Sequence, residues 1–293
     1  MGLRSHPYSL IRVMPAEGEQ QLVVPRCLTI ATSDSGGGAG IQADLKALAR
    51  AGCHGLSALV ALTAQNTVDV TAIHELPPSF VTAQLEAVFD DLGVDGAKTG
   101  MLFSRPLIES VADFLDSHPV PLVVDPVMVA SSGAQLLEHD AVETLVRRLF
   151  PLAAVVTPNL PEAEALVARP GGRKAELAER LVELGAPAAI VTGGHGDPVD
   201  HLFDGSRHVE IAVERHDARA THGAGCTHSA TLAAGLARGL SLEAAARTAA
   251  TTASDAVAHG LVELGAGEGP VDVFHLKELN ERTHDRHHAL GRR

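Results

Sequence analysis

Cys226 closes the run Thr221, His222, Gly223, Ala224, Gly225, and a small-residue stretch over 230–236 follows it. A glycine-rich turn opening a helix leaves several backbone N–H groups without an intrahelical partner, and the helix dipole adds positive potential there. Such a turn suits the phosphates of a nucleotide. A thiol at the same place has its pKa drawn down, so Cys226 is expected to act as base or nucleophile near neutral pH. A glycine turn ahead of a buried structural cysteine is the bland alternative, and the run by itself does not choose between them.

Other polar residues recur at one kind of place. Asp34, Gln65, Lys98, Asp125, Asn159 and Thr192 each follow or end an apolar strand-like run. In an open α/β sheet, ligands sit beyond the carboxyl ends of the strands, so these positions imply one crevice. Asp125 precedes a proline and is a plausible Mg²⁺ ligand through water. Asn159 and Glu162 form the pattern of a helix capping box, and Glu162 can also orient the waters of a metal–nucleotide complex. Gln65 carries both donor and acceptor and could read the edge of a heterocycle, or simply end a strand. Asp44 falls between Ile41 and Leu48 on the inward side of a helix, where a carboxylate needs a ligand or a neighbouring donor. Compensation of the helix dipole is the other reading of Asp44. The spacing of Gly38, Gly40 and Ala43 meets the loose dinucleotide pattern, but no acidic residue ends the next strand to hold a ribose.

Helical spacing predicts helices over 39–51, 78–91, 107–115, 141–150, 174–184, 225–238 and 242–258, with another starting at 161. Short apolar runs between them predict strands, and Asp204 with Gly205 marks a hairpin turn. Alternation of this kind predicts an α/β fold with a mostly parallel central sheet and helices on both faces. The chain has 293 residues, 45% of them hydrophobic, with a net charge of −13. One domain over 26–279 is expected, between a loose extension over 1–25 and a His- and Arg-rich tail over 280–293. The acidic balance and the lack of tryptophan argue against a nucleic-acid partner. No apolar run is long enough to span a membrane. Cys27, Cys53 and Cys226 are odd in number and widely spaced, which fits a reducing cytoplasm, with Cys27 and Cys53 as small buried hydrophobes.

Taken in order, several segments resemble one family. They are Ser33 to Lys46, with Asp34, Gly36, Gly37, Gly38, Gly40 and Asp44; Ala64 to Thr67; Gly100 to Leu102; Asp125 to Met128; Thr157 to Ala163; Gly193 to His195; and Thr221 to Thr227. Together they resemble the hydroxymethylpyrimidine/phosphomethylpyrimidine kinases of thiamine biosynthesis, within the ribokinase-like superfamily, from about Arg26 to Gly260. The resemblance implies a ribokinase-like fold, ATP and Mg²⁺, and two successive phosphorylations of one small pyrimidine. It implies that Asp44 and Gln65 bind the pyrimidine, that Met101 packs on its ring and that Thr32 borders it. Gly223, Ala224 and Gly225 would form the anion hole, with Cys226 as the catalytic residue. Asn159, Glu162, Thr192 and Thr221 would meet ATP, and Asp125 and Glu162 would serve Mg²⁺. It also implies a homodimer.

Three positions depart from the family pattern. Thr32 stands where glycine is usual, Thr192 where lysine is frequent, and Ala224 where threonine is commoner. Loss of the lysine removes a positive charge from phosphoryl transfer, which Lys98 or the metal would have to supply. With Cys226 as base, Cys226→Ala is expected to damage the first phosphorylation more than the second. A pyridoxal-type vitamin kinase is the nearest rival, and a non-catalytic pyrimidine-binding protein a more distant one.

Overall fold

The structure is a computed structural model of the chain and describes residues 24–128, 139–193, 197–216 and 219–281. The extension over 1–23, the tail over 282–293, and Gly194 and His195 lie outside the described residues.

Nine strands form one sheet among the described residues: β1 (Arg26–Asp34), β2 (His54–Gln65), β3 (Val70–Glu75), β4 (Gly96–Thr99), β5 (Leu122–Val124), β6 (Val155–Val156), β7 (Ala189–Val191), β8 (Val199–Phe203) and β9 (His208–Ala212). Their order is β3-β2-β1-β4-β5-β6-β7-β8-β9. β1, β2, β4, β5, β6 and β7 run parallel, whereas β3, β8 and β9 are antiparallel to their neighbours. From β1 the chain first builds outward to β2 and β3, then returns to the other side of β1 with β4. Strand order therefore reverses between β1 and β4, and a crevice opens beyond their carboxyl ends.

Side-chain alternation along β1 divides the core. Leu28 and Ile30 enter the cluster on one face, with Val81 and Leu85 of α2 (Pro78–Asp91), Leu107 and Val111 of α3 (Arg105–Ser117), and Leu177 and Leu181 of α6 (Lys174–Glu183). Leu145 of α4 (His139–Leu149) and Ala163 of α5 (Leu160–Leu166) join the same cluster. Cys27 enters the cluster on the other face, with Leu48 of α1 (Gly40–Arg50), Leu232 and Ala233 of α7 (Ala224–Ala237) and Ala246 of α8 (Leu242–Ala258). Cys27 and Cys53 are buried thiols, as expected.

α7 is the element that brings the glycine turn to the sheet. Residues 227–235 of it are buried without interruption, the mark of a helix enclosed on all sides. Its small side chains permit that enclosure. A Cβ added at Gly96 of β4 would lie 2.9 Å from the Ala237 methyl, and one at Gly235 would lie 2.8 Å from the Ala245 methyl of α8. The strand β2 extends to Gln65, and from Ala61 onward it pairs with β3. No helix among the described residues is long and apolar enough to cross a membrane.

Candidate active site

The crevice is built on two glycine turns that lock together. Asp34, at the end of β1, is the anchor of the first. Its carboxylate accepts the amides of Gly36 at 2.7 Å, Gly38 at 3.0 Å and Ala39 at 2.8 Å. His222 Nε2 donates to the same carboxylate at 3.1 Å, tying the first turn to the second. Burial alone would raise Asp34, but the His222 bond and the converging amides hold it below the usual carboxylate range. Gly223 caps α7 in the left-handed region at φ 86, and a Cβ there would run into the Gly38 carbonyl. Only glycine satisfies both demands.

The expected anion hole is narrower than its sequence suggests. The Ala224 N–H is turned back onto the Thr221 carbonyl at 3.0 Å, which removes it from the set facing a ligand. The amides of Gly225 and Cys226 remain as those of the first helical turn. A Cβ at Gly225 would meet nothing within 4 Å, so this side of the turn is open. The open side is where an anion can approach.

Beneath Cys226 lies a buried charge cluster. Lys98 Nζ stands 3.0 Å from Asp44 Oδ1 and 3.5 Å from Asp125 Oδ2. Thr29 Oγ1 donates to Asp44 Oδ2 at 2.6 Å, and Ser229 Oγ donates to Asp125 Oδ2 at 2.8 Å. Burial disfavours the Lys98 charge, but the Asp44 and Asp125 carboxylates outweigh it and hold the ammonium protonated. Asp44 is fully buried with both oxygens engaged, by Thr29 and Lys98, which meets its expected need for a neighbouring donor. A bare carboxylate at that depth would be untenable, which is why the lysine is there.

Cys226 is half-buried, yet desolvation is the main influence on its thiol and pushes it up to about 12; Asp44 and Asp125 push the same way, against Lys98 and the Gly40 N–H. Near pH 7 it is a neutral thiol. Thr32 is buried and donates its hydroxyl to the Met101 carbonyl at 3.1 Å, so it fixes the main chain of the residue expected to pack on the ring. Gln65 is half-buried at the end of β2, and its Oε1 accepts from Thr63 Oγ1 at 3.1 Å. Ser35 ties the first glycine turn to the Gln65 backbone at 2.7 and 2.8 Å.

Across the crevice, Asn159 and Glu162 form a complete capping box at the start of α5, with both bonds at 2.9 Å. Burial, reinforced by Asp125, pushes the Glu162 carboxyl up to about 8. Thr192 bridges Asn159 in parallel and donates its amide to the Pro158 carbonyl at 3.0 Å. Thr221 is exposed at the mouth.

The sequence placed Lys98 in the crevice but did not show its two carboxylate partners, nor the clamp between Asp34 and His222. The signal for Lys98 was present: a lysine in a four-residue strand whose every residue is buried requires carboxylate partners.

An open helix start carrying a thiol, with the carboxylates of Asp125 and Glu162 in the same crevice, suits phosphoryl transfer, and comparison with known proteins agrees. The phosphomethylpyrimidine kinase family profile matches residues 34–272. The chain belongs to this family. The hydroxymethylpyrimidine/phosphomethylpyrimidine kinase of Rhizobium meliloti is 47% identical over 256 residues, covering 85% of this chain and 96% of that one. Among solved structures, phosphomethylpyrimidine kinase from Clostridium difficile superposes with a TM-score of 0.69 at 37% identity, covering 77% of this chain and 96% of that one. An ADP complex of Bacillus subtilis pyridoxal kinase superposes with a TM-score of 0.79 at 33% identity, covering 87% of this chain and 99% of that one. The fold is therefore the ribokinase-like one of the vitamin kinases, and the phosphomethylpyrimidine kinase family makes this chain an ATP-dependent phosphotransferase.

Proposed function

We propose that this chain phosphorylates the hydroxymethyl group of 4-amino-5-hydroxymethyl-2-methylpyrimidine with ATP, and then the monophosphate to the diphosphate, in thiamine biosynthesis. The observation that carries the reading is Cys226 at the open start of α7, directly above the Lys98–Asp44–Asp125 cluster. The pyrimidine lies by Gln65 and Met101, and the transferring phosphoryl group by the amides of Gly225 and Cys226. ATP extends past Thr221 toward Asn159 and Thr192.

Mg²⁺ fits the carboxylates on the far wall. Asp125 helps to raise Glu162, and paired oxygen donors of that kind are what a hard divalent cation relieves. Asp125 and Glu162 would hold the ion, which supplies charge neutralisation between phosphates. Phosphoryl transfer has a loose transition state, so positioning and electrostatics outweigh proton abstraction. A neutral Cys226 thiol does not withdraw the alcohol proton as a resident thiolate. It hydrogen-bonds the reacting hydroxyl oxygen, and the proton leaves late, toward the oxygens of the transferring phosphoryl group. Lys98 supplies a fixed positive charge beneath the site and takes over from the lysine that Thr192 replaces.

A kinase domain over 26–279 in a reducing cytoplasm is consistent with three unpaired cysteines. The chain is taken to pair as a homodimer, as the family resemblance implies. A coupled ADP-release assay on the hydroxymethyl pyrimidine, with products resolved by mass, tests the function. Both phosphorylated products are expected. ADP release with pyridoxal alone would replace this reading with the vitamin-kinase one, and ligand binding without ADP release would replace it with a non-catalytic one.

A further inference from the structure

The carboxyl end of α8 carries a second constellation, outside the crevice. Asp255 and His259 stand one turn apart, and the turn after Asp272 brings His275 against them. His275 is held at φ 54, in the left-handed region, while Asp272 accepts the amides of Phe274 and Leu276 at 3.1 and 2.6 Å. Asp255, His259 and His275 each offer a ligand atom within 4.8 Å of the others, and all three are half-buried.

The hydrogen bonds assign the tautomers. His259 Nδ1 lies 2.9 Å from the Asp255 carbonyl, which can only accept, so Nδ1 carries the proton. His275 Nε2 lies 2.8 Å from Asp255 Oδ2 and donates to it. His259 Nε2 and His275 Nδ1 are the remaining ring nitrogens, on the side away from Asp255. Glu278 Oε1 stands on that side, 3.5 Å from His259 Nε2 and 4.0 Å from His275 Nδ1. Metal-ligating histidines are oriented in this way, with the second ring N–H donated to a carbonyl or carboxylate. A tetrahedral zinc site spaces its N and O ligands by about 3.3 Å, close to these gaps.

We propose that His259 Nε2, His275 Nδ1 and Glu278 Oε1 bind a borderline divalent cation, zinc by ligand type, with Asp255 as the outer acceptor that orients both rings. The fourth position is open to water. The rings stack with centroids 3.7 Å apart and planes 15° apart, so one ring turns for both nitrogens to meet the same ion. The site joins the end of α8 to the segment that follows Asp272. Just before Asp272, the Val271 amide donates to the His222 carbonyl at 3.1 Å.

Titration of the full chain with zinc alone, by calorimetry, tests this. His284, His287 and His288 offer imidazoles of their own, so each variant is also made with these three replaced by alanine. A single zinc equivalent is expected to survive in that background and to disappear in H259A and in H275A. D255N, which keeps all three ligands, is expected to weaken zinc about 10–100-fold. Cobalt is expected to give the intense visible bands of a four-coordinate site in the same background, and not in H275A. Circular dichroism unchanged from the parent secures the folding of each variant. The proposal is overturned if the tail-substituted chain binds no zinc, or if H259A and H275A bind it as the parent does.

Discussion

Lys98 Nζ lies 3.0 Å from Asp44 Oδ1, and neither side chain reaches solvent. The pair joins β4 to α1 beneath the reacting thiol, and each charge is tolerable only with the other present.

Removing one member is therefore expected to cost more than removing both. D44N and K98M are each expected to destabilise by about 3–5 kcal/mol, because each strands a buried partner. The double variant D44L/K98M should recover much of that loss in urea unfolding while remaining inactive. A double variant no more stable than either single one would contradict the pairing.

Glu162 sets a pH dependence. With its folded pKa raised to about 8 by burial and by Asp125, it binds a proton in the folded state that it has released in the unfolded one. The contribution to stability is complete below the ordinary glutamate pKa near 4.3 and is lost as pH rises through about 8. E162Q is expected to flatten the stability profile between these limits, measured by the urea midpoint against pH. Adding Mg²⁺ at pH 7 should release protons from the natural chain, read with a pH indicator in weak buffer, and fewer from E162Q.

Cys226 is pushed up to about 12, so its thiolate absorbance should not rise before strongly alkaline pH, and alkylation at pH 7 should be slow. As a positioning contact to the acceptor oxygen, it is expected to matter to both phosphorylations. Cys226→Ala should lower kcat for each by roughly 10²-fold, and Cys226→Ser should restore part of it. A loss confined to the first phosphorylation, with no rescue by serine, would return the thiol to the role of base that its helix position suggested.

Gly223→Ala tests the lock between the two glycine turns. The residue sits at φ 86, and its Cβ would strike the Gly38 carbonyl. A loss of at least about 1–3 kcal/mol is expected from thermal unfolding, together with a raised KM for ATP. An unchanged KM would separate the turn from nucleotide binding.

What could be read in the residues depended on distance along the chain. The Asn159–Glu162 box was legible because both partners lie within one helical turn, and the sheet was legible because β-type runs alternate with helical ones. The fate of Asp44 was not. Its inward position showed that it needed a partner, but Lys98 lies 54 residues away, and only β4 beside β1 makes them neighbours. The balance at the thiol was illegible for a related reason. A helix start is local and visible, whereas desolvation and the carboxylates of Asp44 and Asp125 arrive with α1 and the end of β5. Ala224 was assigned to the anion hole on its place in the motif, but its amide closes a turn on Thr221, a detail of backbone geometry that residue types do not carry.

The bond from His222 to Asp34 spans 188 residues. During synthesis the first glycine loop leaves the ribosome long before its clamp exists, so no partial product can bind nucleotide as the finished enzyme does. Catalytic competence is acquired only once the segment around His222 has been made and closes on the first glycine turn.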